Sequence, residues 1–432
     1  MTSTLLAATA LKPPHNAPQV AHLPNGLTLI AEQMPVEAVS LNIWLQVGSS
    51  QEADDLNGMA HFLEHMVFKG TPILDNGAFE KAIEQRGAVT NAATSQEYTH
   101  YYITTAPQDF LDLTPLQWEV VLNASIEAPA FERERLVVLE EIRRAEDNPQ
   151  RRIFTQALQM GFPAQPYCRP VLGATDIVEK LQPEQMRDFH AQWYQPARMT
   201  AVVVGNLPVE TLMTSVADSF AQSYSIKSPA QVSSAPVIQG DRPFTTILSQ
   251  EMSDPSLQQA RLLLIWRVPG LESLATTQVL DVLAAILGKG KMSRLFRELR
   301  EEKCWVNSIG VSNMTQYHQG LFYIFAQLPQ ENIAKVEAAI LAQIQQIQQD
   351  AVTEAELNRI RRQVTNHFIM GNERPSDRAN LYGYYYSQLR SLEPALLYPQ
   401  QIQALTVQEL QKAAQTYLST TAYGRLVATA DV

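Results

Sequence analysis

The sequence predicts an α+β protein built from two homologous domains, each a mostly antiparallel sheet packed with helices. Three observations lead there. The chain has 432 residues, and at ~100–200 residues per domain that calls for two domains or more. The chain repeats itself at an offset of about 220 residues. Strands and long helices occur in both halves without strict alternation, which favours α+β over a doubly wound sheet.

Taken in order, the N-terminal stretch MTSTLLAATALKPPH lacks a basic n-region and its apolar run stops at Lys12. A loose arm is expected there, not a signal peptide. Leu41–Val47 is a strand-like run, followed by a loop and an apolar helix ending near Lys69 and Gly70. Leu262–Val268 repeats that order, with a helix ending near Lys289 and Gly290. The ends of the halves match too. A helix from Met186 to Tyr194 leads to the strand Thr200–Val204, and one from Leu410 to Tyr417 leads to Gly424–Ala428. A repeat this long means duplicated domains, not a solenoid. Long helices are expected at Glu132–Asp147 and Asn332–Asp350. The glutamine-rich tract 343–349 belongs to the second, because it continues the helical spacing of Ile340, Ile344 and Ile347. Gln222–Pro243 is rich in Ser, Pro, Ala and Gln and lacks periodicity, so it reads as a linker. The expected domains are therefore 1–221 and 244–432, joined by 222–243.

Composition narrows the function. Hydrophobic residues make up 45% and charged residues 18%, a globular balance. Lys plus Arg total 33 against 44 Asp plus Glu, a net charge of -11. That argues against a nucleic-acid binder, which needs a basic face, and mildly favours cationic partners such as basic peptides. Two cysteines, Cys168 and Cys304, fit neither a disulfide scaffold nor a four-thiolate zinc site; a reducing, cytoplasmic setting is expected. No run approaches ~20 uninterrupted apolar residues, so no membrane span is expected.

The segment Asn57–Gly70, NGMAHFLEHMVFKG, carries the chemistry. Asn57 suits a helix N-cap and Gly70 a helix end. At ~100° per residue, His61, Glu64, His65 and Phe68 fall within one arc, opposite Met59, Phe62, Leu63, Met66 and Val67. Histidines at i and i+4 share a face, as two ligands of one metal require. Glu64 lies beside them, placed to hold a metal-bound water. This is the H-x-x-E-H arrangement; its bland alternative is a pair of surface histidines. A catalytic zinc also needs a third protein ligand. The helix around Leu136, Leu139 and Ile142 offers Glu134 and Glu141, two turns apart on one face, although Glu134, Glu140 and Glu141 could equally be solvated partners of Arg133, Arg143 and Arg144.

HFLEH followed by VVLEEI resembles the pitrilysin and mitochondrial processing peptidase family of zinc peptidases, the inverzincins, and the resemblance spans nearly the whole chain. In that family the third ligand is a Glu about 76 residues after the second His, which falls on Glu141. The resemblance implies that His61, His65 and Glu141 bind one zinc per chain, that Glu64 is the general base, and that Glu134, seven residues before the ligand, supports the site. Two imidazoles and a carboxylate also suit manganese or cobalt. The stretch Val89–Ser95 resembles the family's exposed edge strand, which adds a peptide substrate by main-chain hydrogen bonds; Asn91, Ala92 and Ala93 are the implied contacts. Phe68 is a candidate for the pocket wall past the cleaved bond, or a core phenylalanine. Residues 148–154, NPQRRIF, are not acidic, so the arginine preference of the mitochondrial enzymes is not implied.

The repeat aligns His61, Glu64 and His65 with Asp281, Ala284 and Ala285, so the second domain lacks a metal site. Family members able to act alone carry an Arg and, seven residues on, a Tyr that grip the substrate carbonyl. Here Arg300 is present but Asn307 replaces the Tyr. The resemblance then implies the zinc-bearing subunit of a heterodimer whose paralogue carries the Arg-Tyr pair, with a homodimer as the alternative. The expected function is a zinc endopeptidase for small unfolded peptides or peptide extensions. A non-catalytic peptide-binding subunit is the other reading.

Overall fold

The computed structural model describes residues 17–224 and 240–430. The N-terminal arm and most of the expected linker lie outside the described residues, and the helix Val209–Ser223 runs into the linker's first positions. Among the described residues the strands form two sheets. The first contains β1 (Gln19–His22), β2 (Thr28–Gln33), β3 (Val39–Leu45), β4 (Val89–Thr94), β5 (Thr99–Thr105) and β6 (Met199–Gly205), in the order β1-β2-β6-β3-β5-β4. The second contains β7 (Leu248–Ser253), β8 (Ala260–Pro269), β9 (Ser308–Thr315), β10 (Gln319–Leu328) and β11 (Gly424–Thr429), in the order β7-β11-β8-β10-β9.

The duplication is visible in this topology. In each half the last strand returns to the middle of its sheet. There it pairs parallel with one early strand (β6 with β2, β11 with β7) and antiparallel with the next. All other pairs are antiparallel, as expected for an α+β domain. Both sheets leave one edge strand near a cavity: β4 in the first, β9 in the second.

β3 and β6 are buried along their whole length, which requires cover on both faces. One face packs on the helices of its own half, with Leu41, Ile43, Phe62, Leu63 and Trp118 in the core. The other face is covered by a helix of the opposite half. Pro375–Leu389 lays Ala379, Tyr382 and Tyr386 against Ile30, Trp44, Val202 and Val204. In return, Pro149–Gly161 sets Ile153, Ala157 and Leu158 on Leu263, Ile265, Leu426 and Ala428 of the second sheet. The halves thus exchange equivalent helices. Gly383 makes one of these contacts possible, because a Cβ there would stand 2.0 Å from the Trp44 indole nitrogen. Arg378 adds an ion pair to buried Glu32 at 2.7 Å. The tyrosines at 382 and 386, which helical spacing marks as packing residues, are interdomain packing.

The most apolar helical stretch, Leu271–Gly288, has a mean hydropathy of 1.3 and is 67% buried within the fold. Its buried residues are part of the second core, with Trp266 and Phe322.

Candidate metal centre and active site

The helix carrying the histidines spans Met59–Met66, shorter than its sequence suggests. Asn57 is not its N-cap. Gly58, with φ +98°, takes that position without a side-chain cap. The cap comes from further upstream: Glu52 accepts from the amide of Ala60 at 2.7 Å, the amide of Gly58 at 2.9 Å and the Asn57 side chain at 2.9 Å. Burial pushes the Glu52 carboxyl up to about 7, against the pull of those hydrogen bonds and of Arg169. Gly70 lies beyond the helix end, in a left-handed turn. Met59, Phe62, Leu63, Met66 and Val67 are all buried in the first core, so the opposite face is fixed.

That face presents His61 and His65, ring centroids 4.8 Å apart. The helix Ala128–Asp147 crosses beside it and contributes Glu134 and Glu141. Glu141 Oε2 stands 3.5 Å from His61 Nε2 and 3.6 Å from His65 Nε2. The three ligand atoms lie within 4.8 Å of one another, the one such group among the described residues. The alternative pairing with arginine holds only for Glu140, which binds Arg143 and Arg144 at 2.8 and 2.9 Å.

These residues fit a metal ion. Ligands at ~2.0–2.1 Å from one tetrahedral zinc stand roughly 3.3 Å apart, close to the 3.5 and 3.6 Å found here. Glu141 Oε2 is buried and makes no hydrogen bond, an orphan that a cation would satisfy. Burial, and then the neighbouring His65, lower the His61 pKa to about 3, so it is neutral and can ligate. Burial opposes charge on His65 as well, but the hydrogen bond to Glu134 and the carboxylates of Glu141, Glu134 and Glu64 outweigh it and raise its pKa.

Glu134 supports the ligand and does not join it. His65 Nδ1 donates to Glu134 Oε1 at 2.9 Å, and Lys69 Nζ pairs with Oε2 at 2.8 Å. A carboxylate accepts only, so Nδ1 carries a proton, and Nε2 is the nitrogen turned toward Glu141. Glu64 accepts from the Thr94 hydroxyl at 2.5 Å. Burial raises its pKa despite that bond, as suits a base working near neutral pH. Sequence reasoning missed Thr94, Lys69 and Glu52. Thr94 directly follows the edge residues singled out above, which was the available signal; the other two depend on tertiary packing.

A cavity of about 990 Å³ opens at this site, lined by His61, Glu64, Ala93, Thr94, Arg151 and Gly173 among others. β4 is the sheet's edge, paired only with β5. The amide of Ala92 donates to the Asn91 side chain at 2.9 Å, so an added strand would have to displace that side chain to use it. Asn91 and Ala93 are exposed and Ala92 half-buried. Two expected contacts lie elsewhere. Phe68 packs on Phe79 and Tyr101, with ring centroids at 5.7 and 5.9 Å, and does not line this cavity. It falls past the helix end, where the chain turns it toward the core. Arg300 is exposed in the π-helical segment Phe296–Glu302, its guanidinium 4.7 Å from the Phe296 ring, and lines neither large cavity.

Comparison with known proteins finds similarity over both halves of the chain. Residues 27–175 match the family model described as insulinase (peptidase family M16), and residues 180–364 the model described as peptidase M16 inactive domain. A Mycobacterium tuberculosis H37Rv protein, named an uncharacterized zinc protease, is 30% identical over 408 residues, covering 93% of this chain and 91% of its own. The crystal structure of a protease from Helicobacter pylori superposes with a TM-score of 0.88 at 25% identity, over 96% of this chain and 99% of that one. A Pseudomonas fluorescens structure, described as a peptidase M16 inactive domain, shares the fold at a TM-score of 0.85 and 18% identity, over 96% and 98% of the two chains.

Proposed function

The chain belongs to the M16 family of peptidases, and from that premise we propose that it is a zinc-dependent endopeptidase acting on small unfolded peptides or peptide extensions. The observation that carries this reading is the unpartnered Glu141 Oε2 set between the two histidine Nε2 atoms, with Glu64 on the same helix face.

His61, His65 and Glu141 would hold the metal. A zinc bound by such a set supplies Lewis acidity, activating water near neutral pH and polarising the scissile carbonyl. Glu64 takes the proton of the attacking water and returns it to the leaving amine, with Thr94 fixing the carboxylate's orientation. Glu134 fixes the tautomer of His65, and Lys69 balances the charge of Glu134. The β4 edge takes the peptide as an added strand, through backbone groups at Ala92 and its neighbours, which permits broad sequence tolerance.

The proposal includes a partner. Arg300 has no tyrosine seven residues on and lines neither large cavity, so the substrate-gripping pair is left for another chain, a paralogue in a heterodimer. The test is peptide cleavage by the isolated chain and by the chain mixed with the paralogue. A rise in kcat/KM of about tenfold or more is expected on mixing. Full activity from the isolated chain, unchanged by the paralogue, would contradict the heterodimer.

A further inference from the structure

A second cavity, of about 960 Å³, lies against the half that has no metal site. The repeat relates it to the first. Asp281, Ala284 and Ala285 line it where the metal helix presents His61, Glu64 and His65, and Asn313 on the edge strand β9 lines it where β4 presents Ala93. The second cavity has therefore lost the histidines and the base, and carries a carboxylate in place of His61.

We infer that this cavity binds the basic side chain, arginine or lysine, of a peptide. Two features favour that chemistry. Asp281 lines the cavity, and Asn313 Nδ2 donates to its Oδ1 at 2.9 Å. The same Asn313 nitrogen donates to the carbonyl of Thr277 at 3.2 Å. That fixes the orientation of the amide and leaves Asn313 Oδ1 as a buried acceptor without a donor; Asn380 Oδ1, also on the lining residues, is another. Both oxygens are sealed from solvent, as are the unpaired Trp44 Nε1 and His100 Nδ1 on the same lining, so the group left to face a ligand is the Asp281 carboxylate, which calls for a hydrogen-bond donor of positive charge, and guanidinium and ammonium are such groups. Part of the wall is aromatic: Tyr98, Tyr384 and Tyr398 line the cavity, with Tyr98 edge-on to Tyr384 at 6.0 Å. Aromatic faces attract a cation and also pack its alkyl stem.

Desolvation raises the Asp281 pKa to about 6, with Asn313 and Lys289 pulling the other way. Lys289 is exposed at the cavity lining, so it does not fill the interior. Keeping a buried carboxylate with one hydrogen-bond partner costs stability, and a bound cation offsets that cost. The site goes beyond the hydrolytic reading, since binding here involves none of the residues assigned to catalysis.

The test is isothermal titration of the full chain with N-acetyl-arginine amide, N-acetyl-lysine amide and N-acetyl-norleucine amide, in the presence of a chelator. Binding is then read without turnover, and a failure of the peptidase reading leaves the result interpretable. The two basic probes are expected to bind in the micromolar to low-millimolar range, about tenfold or more tighter than norleucine. Asp281→Asn, checked for folding by circular dichroism, is expected to lose about tenfold or more for both basic probes. Equal binding of norleucine by the wild-type chain would make the cavity merely apolar. Undiminished binding of arginine by a folded Asp281→Asn would place the cation elsewhere. No binding of either basic probe up to about 10 mM would remove the site altogether.

Discussion

The Glu52 carboxylate accepts the amide of Ala60, eight residues ahead of it, at 2.7 Å, and that bond sets the direction of the helix bearing both histidines. The other oxygen takes Gly58 and Asn57. Glu52→Ala leaves these donors without their acceptor in a buried place, which costs about 1–3 kcal/mol. The expected result is a lower unfolding midpoint together with weaker metal binding, seen by thermal melts with and without zinc. An unchanged melt would mean that the helix is held by its apolar face alone.

Glu134→Gln keeps the size of the side chain but removes the charge facing His65 Nδ1 and Lys69 Nζ. Changes of this kind typically cost 10–100-fold in metal affinity. Competition with a chromophoric chelator should show a loss in that range, with folding retained. An affinity equal to wild type would mean that Glu134 serves only the ion pair with Lys69.

Thr94→Val removes the hydroxyl that donates to Glu64 Oε2. That bond favours the ionised carboxylate, opposing the effect of burial. Without it the Glu64 pKa rises further, so the acid limb of the pH–rate profile should move to higher pH. The kcat should drop by roughly tenfold, with little change in KM. A profile superimposable on wild type would mean that Thr94 does not touch the working base.

Asp281 sets a pH dependence of stability. Its folded-state pKa is raised from 3.8 to about 6, so between those values the native state holds more protons than the unfolded chain. Stability therefore falls as pH rises through this window, and the cost is fully present above about 6. Asp281→Asn should flatten that slope and be more stable than wild type at pH 7, by on the order of 1–3 kcal/mol. Parallel slopes in urea titrations at pH 4 and pH 7 would refute the assignment.

The local half of the site was legible in the sequence because it obeys helical spacing: His61, Glu64 and His65 share a face opposite a buried apolar stripe. Glu141 and Glu134 were not separable from Glu140 by pattern, since all three sit among arginines; only the family spacing chose between them, and the fold brings Glu141 to the histidines. The repeat likewise foretold two sheets of matching topology. What sequence could not give is what folding brings from far away. Glu52 displaces Asn57 as the cap because a buried carboxylate reaches back over the helix start. The exchanged helices are invisible because neither Tyr382 nor Ile153 carries a sign of which sheet it covers. Phe68 followed the extrapolated arc only as long as the helix lasted, and the helix ends at Met66.

The most direct measurement is metal content with peptide turnover, on wild type and Glu64→Gln, each mixed with the paralogue. The expected result is near-stoichiometric zinc in both proteins, cleavage by wild type alone, and loss of cleavage on chelation. Zinc in both with no turnover under any condition would contradict a peptidase and leave a peptide-binding subunit. No metal in either would contradict the centre formed by His61, His65 and Glu141 itself.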